Sequence, residues 1–140
     1  MSSTQLATFW LGESLYGVGV DRVREVLRHQ ALTRVPGAPA AIAGLLNLRG
    51  QVVTAVDLRT RLQLSPRPAE LAPMLVVVLV AGECVALLVD RVGAVVEVDE
   101  SSFEPLPDTV RGVGRDLVLG AHKLDDHLVL SLDVAAAVTG

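Results

Sequence analysis

From Leu71 to Val89 almost every position is apolar, and the only charge is Glu83, near the middle. The length suits a bilayer span. However, Gly82-Glu83 divides the segment into two runs rich in β-branched residues, Met74–Val80 and Val85–Val89, which is the pattern of a buried hairpin. Turn chemistry at the centre opposes an unbroken apolar helix, so the pattern predicts two strands and no direct insertion into a membrane. Elsewhere short β-rich runs alternate with turn signals. Short helices are expected after Asp57 and Asp133, at 58–62 and 135–138.

The strand pattern is duplicated. Gly12-Glu13 leads to Val20-Asp21-Arg22-Val23, and Gly82-Glu83 leads to Val89-Asp90-Arg91-Val92, at offsets of 70 and 69 residues. Proline-marked connections follow, Val35-Pro36-Gly37-Ala38-Pro39 and Glu104-Pro105-Leu106-Pro107. A second matched block then runs from Gly44-x-x-Asn47-Leu48 to Val56-Asp57-Leu58, and from Gly120-x-x-Lys123-Leu124 to Leu132-Asp133-Val134. Two similar β-rich halves, about 6–64 and 74–140 with a linker at 65–73, suggest two small barrels related by a pseudo-twofold axis. A unit of that size is marginal alone, so the halves are expected to bury a shared apolar face and to fold as a single domain over 1–140.

Composition narrows the class. Of 140 residues 51% are hydrophobic but only 3% aromatic, so Val, Leu and Ala must fill the core, and valine favours pleated strands. The net charge of -4 and the scattering of the basic residues argue against nucleic acid as a partner. Cys84 is the only cysteine, which excludes an internal disulfide and suits a reducing, cytoplasmic setting. Met1 to Gln5 lack the basic and apolar regions of a secretory signal.

Candidate chemistry is sparse. His122-x-x-Asp125-Asp126-His127 carries metal-ligating residue types. In the repeat, though, Asp125-Asp126 occupies the place of Arg49-Gly50 in a hairpin turn, and strand alternation would send neighbouring ligands to opposite faces. No metal and no cofactor are therefore expected. Gly112-Val113-Gly114 lacks the spacing and the helix of a dinucleotide fingerprint and reads as a flexible connection. Cys84 falls inside an apolar hairpin, where a thiol is normally inert. Asp21 with Glu25 reads as a solvated face, leaving no catalytic constellation. A small metal-binding or enzymatic barrel stands as the alternative to a binding protein.

The run from Val35 to Gly50, with Gly44-Leu45-Leu46-Asn47-Leu48-Arg49-Gly50 closed by Val56-Asp57-Leu58, resembles the signature of CheW-like chemotaxis coupling proteins. Phe9-x-Leu11-Gly12, Val23-Arg24-Glu25-Val26-Leu27, Leu87-Leu88-Val89-Asp90-Arg91-Val92 and Leu130-Ser131-Leu132-Asp133 extend the resemblance over 9–138. It departs at Thr54, where the family usually has proline, and in the short linker. The resemblance implies an all-β fold of two SH3-like five-stranded barrels with short helices. It also implies a non-enzymatic adaptor bridging the tip of a methyl-accepting chemoreceptor to the regulatory domain of a CheA-type histidine kinase, in the cytoplasm at membrane-associated receptor arrays. Adaptors of twitching, gliding or non-motility systems are similar. Val23, Glu25, Val26, Gly44, Asn47 and Arg49 fall at the family's receptor-contacting positions, and the kinase-binding face is left unassigned.

The same residues admit plainer readings. Arg49 suits a hairpin where a five-donor guanidinium meets a carboxylate or backbone carbonyls, either pinning a loop or meeting a partner. Gly44 and Gly50 read first as positions of positive φ or close backbone approach. Val23 and Val26 offer an exposed apolar pair beside Glu25 if the segment borders a groove between barrels, and are core otherwise.

Overall fold

The computed structural model describes residues 2–138. In chain order it contains β1 (Ser3–Leu11), β2 (Ser14–Gly19), β3 (Val23–Arg28), β4 (Ile42–Leu48), β5 (Gln51–Asp57), α1 (Leu58–Arg61), β6 (Met74–Val80) and β7 (Glu83–Val89). There follow β8 (Arg91–Asp99), β9 (Phe103–Glu104), α2 (Val113–Leu117), β10 (Val118–Lys123), β11 (Leu128–Leu132) and α3 (Val134–Val138). The hairpin around Gly82 forms as its pattern predicts, with Met74 opposite Val89 and Val80 opposite Glu83. Among the described residues no helix is long and apolar enough to cross a membrane.

The strands form two sheets, ordered β8-β1-β2-β11-β10-β9 and β3-β6-β7-β5-β4. The boundary between the repeats is not the boundary between the sheets. In each repeat the third strand leaves its own hairpin and pairs with that of the other repeat, β3 with β6 and β8 with β1. The last strand of each repeat also crosses over, lying parallel to the other hairpin as β2 beside β11 and β5 beside β7. Each sheet therefore contains strands from both repeats.

Each sheet is closed by one bent stretch of chain. Beyond β3 at one edge, Thr33 exchanges backbone hydrogen bonds of 2.8 Å with Leu45 of β4 at the other edge. Beyond β8, a short turn leads into β9, which pairs with β10 through Phe103–His122 and Glu104–Ala121. The matched glycines of the repeat lie at these two closures. A Cβ on Gly44 would come 2.7 Å from the Thr33 carbonyl oxygen, and one on Gly120 would overlap Phe103 and the Glu104 carbonyl. Here a missing side chain lets two strands meet.

Alternation on the central hairpin explains its continuous apolar character. Leu75, Val77, Ala86 and Leu88 line the interior of the second barrel with Leu46, Val53 and Ala55. Val76, Val78, Val80, Leu87 and Val89 face the other way, into a core shared with Phe9, Leu11, Tyr16 and Val18 of the first sheet. The first barrel has its own smaller interior of Leu6, Leu15, Val98 and Val129. Asp57 and Asp133 act as equivalent pivots, each donating its backbone N–H at 2.8 Å, to Ala41 and Leu117 respectively. Their carboxylates cap the first turns of α1 and α3.

One polar cluster is buried where the repeats interlock. Asp90, between β7 and β8, accepts from Arg59 Nε at 3.0 Å and Nη2 at 2.5 Å, from Arg67 Nε at 2.9 Å and from the Gly12 N–H at 2.6 Å. Arg59 also donates to the Ser65 carbonyl at 2.8 Å, so the chain between α1 and β6 is anchored by its own backbone and by Arg67. Burial alone would raise the Asp90 pKa. The hydrogen bonds from Arg59, Gly12 and Arg67, with the Arg59 charge, outweigh it and hold the carboxyl at about 2. Asp21, its counterpart in the first repeat, is exposed.

Val76→Asp places an unpaired carboxylate in the shared core and is expected to abolish the cooperative transition followed by circular dichroism; an unchanged melting curve would contradict the packing. Asp90→Ala leaves two arginines without their buried partner and is expected to cost about 3–5 kcal/mol in urea unfolding. Because the folded pKa of Asp90 is depressed, its contribution is present above the ordinary 3.8 and is lost as pH falls towards 2. The difference between wild type and Asp90→Ala should shrink over that range.

Candidate interaction surface

Strand β3 is an edge strand whose side chains are sorted by a bulge. The register runs Val23–Val78, then Glu25–Val77, Val26–Val76, Leu27–Leu75 and Arg28–Met74, so Arg24 is the inserted residue. Val23, Val26 and Arg28 thus share the face that carries Val76 and Val78 at the inter-sheet core, while Glu25 and Leu27 point with Val77 towards the barrel interior. Val23 is half-buried against the shared core and Val26 is 42% exposed. Both sequence readings of this pair therefore hold in part, with Val23 packed and Val26 presented.

Glu25 is satisfied from the neighbouring turn. Arg49 and Gly50 link β4 to β5 with φ of 52° and 83°, and two successive positive φ values define the tight hairpin turn of the primed class. Gly50 takes this conformation without strain, and its N–H donates to Asn47 Oδ1 at 2.9 Å. Arg49 Nη1 donates to Glu25 Oε2 across the open end of the barrel. The arginine side chain is 76% exposed, whereas that of Glu25 is 19% exposed. The pair therefore leaves most of the guanidinium accessible.

The six positions thus divide. Glu25, Asn47 and Arg49 come together at one barrel end, Val26 lies next to Glu25 on the other face of β3, Val23 packs inward, and buried Gly44 serves barrel closure.

The internal repeat identifies two further positions that the motif did not mark. At the 69-residue offset, Val23 and Val26 correspond to Val92 and Val95. On β8 a register shift between Ala7 and Phe9 brings Val95 opposite Ala7 and Val92 opposite Phe9, again on the inter-sheet face. Val92 is 39% and Val95 56% exposed. The two crossing strands therefore carry a valine pair at matched positions, both members exposed on β8 and only Val26 exposed on β3. Read alone, the mostly apolar stretch 92–96 looks like core; only its match to 23–27 separates it from the buried strands.

The residues weighed for metal binding are placed apart in function. Asp125-Asp126 form the tip of the β10–β11 hairpin, closed by the Leu124 N–H on the His127 carbonyl at 2.8 Å. Asp126 pairs with His127 at 2.6 Å. His127 in turn stacks on Trp10, which Arg91 covers from 5.3 Å. Among the described residues no three His, Cys, Asp or Glu side chains are grouped to hold a metal ion. The reading of Gly112-Val113-Gly114 as a flexible connection is corrected, because Val113–Leu117 forms the short helix α2. Gly112, at φ 96°, turns the chain into it, and Arg115 Nη1 fixes the preceding loop through the Pro107 carbonyl at 2.7 Å.

His122 is buried at the closure of the first barrel, where the repeat has Leu46 in the second. Its ring lies against Phe103 with centroids 5.2 Å apart, and Nδ1 is 3.2 Å from Ser102 Oγ. Ser102 donates its hydroxyl hydrogen to the Asp99 carbonyl at 2.7 Å, so the imidazole Nδ1–H is the donor in the contact with Oγ. Burial lowers the His122 pKa.

Two interlocked barrels with an exposed edge of valines and charge have the architecture of a protein-binding scaffold. The CheW-like domain family profile matches residues 5–139, and the chain belongs to that family. The Treponema pallidum chemotaxis protein CheW is 28% identical over 134 residues, covering 93% of this chain and 79% of that protein. The Bacillus subtilis chemotaxis protein CheW is 31% identical over 107 residues, covering 76% and 69%. In three dimensions the scaffolding protein TtCheW from Thermoanaerobacter tengcongensis superposes with a TM-score of 0.90 at 29% identity, over 99% of this chain and 94% of that one. The expected all-β double-barrel fold is thereby established, with six strands in the first sheet, where short β9 adds to the expected five, and five in the second, and the chain is a chemotaxis scaffold of the CheW type.

A depressed histidine pKa means that the unfolded chain binds the proton more readily. The contribution of His122 to stability should be complete above the ordinary value of 6.5 and decline as pH falls below it. The urea midpoint should drop between pH 7.5 and pH 5.5, and His122→Leu, which follows the Leu46 counterpart, should reduce that drop.

Proposed function

We propose that this protein couples methyl-accepting chemoreceptors to a CheA-type histidine kinase without catalysing a reaction itself. Membership of the CheW-like family supports this reading, and the observation that carries it is the Glu25–Arg49 pair beside exposed Val26. An apolar strand edge bounded by an accessible guanidinium suits an amphipathic helix laid along it, with valines filling the helix's apolar side and Arg49 meeting a carbonyl or carboxylate. The receptor-facing set is Glu25, Val26, Asn47 and Arg49, with Val23 backing the strand from the shared core and Gly44 holding the turn-bearing hairpin against the barrel. Val92 and Val95 extend the same type of surface on β8. The kinase partner is the regulatory domain, and the protein works in the cytoplasm, recruited to receptor arrays at the membrane.

The test is co-sedimentation with a receptor signalling-tip fragment and the cognate kinase, read with kinase autophosphorylation. A three-component complex whose kinase activity changes only when this protein is present is expected. Arg49→Glu should weaken receptor binding by about tenfold or more while leaving thermal unfolding cooperative, because the arginine side chain stands largely in solvent. Unfolding of that variant would make Arg49 a structural residue, and failure of the wild-type protein to bind either partner would refute the coupling role.

A further inference from the structure

The two valine edges are alike in register and opposite in charge. Arg28, on the face of Val26, corresponds at the 69-residue offset to Glu97, on the face of Val95. The difference extends to the surrounding chain. Residues 20–89, which supply every strand of the second sheet, contain eight arginines and five carboxylates. Residues 90–133, which supply β8 to β11, contain ten carboxylates and four basic groups. Arg22, Arg24, Arg28 and Arg34, on β3 and its flanks, are exposed, and among the described residues none of them takes part in an ion pair. Glu25, the carboxylate within β3, is already paired with Arg49.

We infer that the β3 edge selects an amphipathic helix whose polar side is acidic, and that Arg24 and Arg28 provide this selection while the symmetry-related β8 edge rejects the same helix. The inference rests on the reading of β3 as the receptor-facing edge. Apolar contact with a valine pair is nearly indifferent to which of two equivalent edges it uses. Unpaired charge at the rim discriminates between them, through attraction on one side and like-charge repulsion on the other. Between exposed groups such an interaction is shortened by salt, with a screening length of about 10 Å at 0.1 M falling to about 3 Å at 1 M.

The experiment measures the affinity of the receptor signalling-tip fragment for the full chain by fluorescence anisotropy at 50 and 500 mM NaCl. Wild type should weaken by about tenfold across that range. Arg24→Glu with Arg28→Glu should bind about tenfold more weakly at 50 mM and lose most of the salt dependence, and the milder Arg28→Gln should fall between. Glu97→Lys removes the repulsion on β8 and should raise the number of helices bound per chain above one while leaving the affinity at β3 within about twofold of wild type. Circular dichroism of each variant should match wild type, since these side chains are exposed. Binding that ignores both salt and the arginine substitutions would overturn the inference while leaving the receptor-facing edge intact. Absence of binding at either salt concentration would overturn both. If wild type alone self-associates in a salt-sensitive way that both the arginine variants and Glu97→Lys abolish, while tip binding is unaffected, the arginines serve a second copy of this chain and the inference fails.

Discussion

Both faces of the β6–β7 hairpin have to be covered, and much of the architecture follows from that requirement. A strand with large apolar side chains on alternate faces cannot lie at the outside of a single sheet without exposing one set to water. Here one set fills the interior of the second barrel and the other meets Phe9, Tyr16 and Val18 of the first sheet. At roughly 1.5–3 kcal/mol for each fully buried valine or leucine, the shared face is the largest favourable contribution that joins the two sheets. The exchange of β3 and β8 makes the join topological as well, because neither sheet is complete without strands from both repeats.

That interlocking also explains the location of the buried ionic cluster around Asp90. Where β7 ends and β8 crosses to the other sheet, the chain must turn inside the molecule, and the turn carries Asp90. Arg59 at the start of α1, Arg67 of the linker and the Gly12 amide of the β1–β2 turn converge on it. Breaking one member strands the others, so the cluster specifies geometry more than it adds net stability. The equivalent crossing from β2 to β3 lies at the surface and leaves Asp21 in solvent. The pseudo-twofold relation is thus kept in the backbone and in the Asp57 and Asp133 caps, and broken between Asp21 and Asp90.

The interaction surface reflects the same broken symmetry. Bulges on the two crossing strands place valine pairs at equivalent margins of the shared core, but Glu25 and Arg49 have Ala94 and Asp125 as counterparts. One barrel end is therefore capped by an accessible ion pair and the other by an acidic hairpin tip. Two similar halves that differ in this way do not offer a partner two equivalent sites.

Much was determined by the sequence alone. The period of the apolar runs and Gly82-Glu83 define the central hairpin, the repeat offsets define two equivalent units, and the asparagine, arginine and glycine around position 49 define a tight turn, because these signals depend on neighbours in the chain. The resemblance of Gly44–Gly50 and its flanks to one family pointed to the fold and to a scaffolding role, both of which the structure and the relatives support. Only the tertiary structure decided which repeat contributes which strand to which sheet, since exchanged and unexchanged pairings satisfy the same local pattern. It also decided that Asp90 is buried and Asp21 exposed, that Val26 is presented while Val23 is packed, and that the glycine at 112 opens a helix. Burial, charge pairing and bulge register arise from contacts between residues far apart in the chain, and a linear pattern carries no record of them.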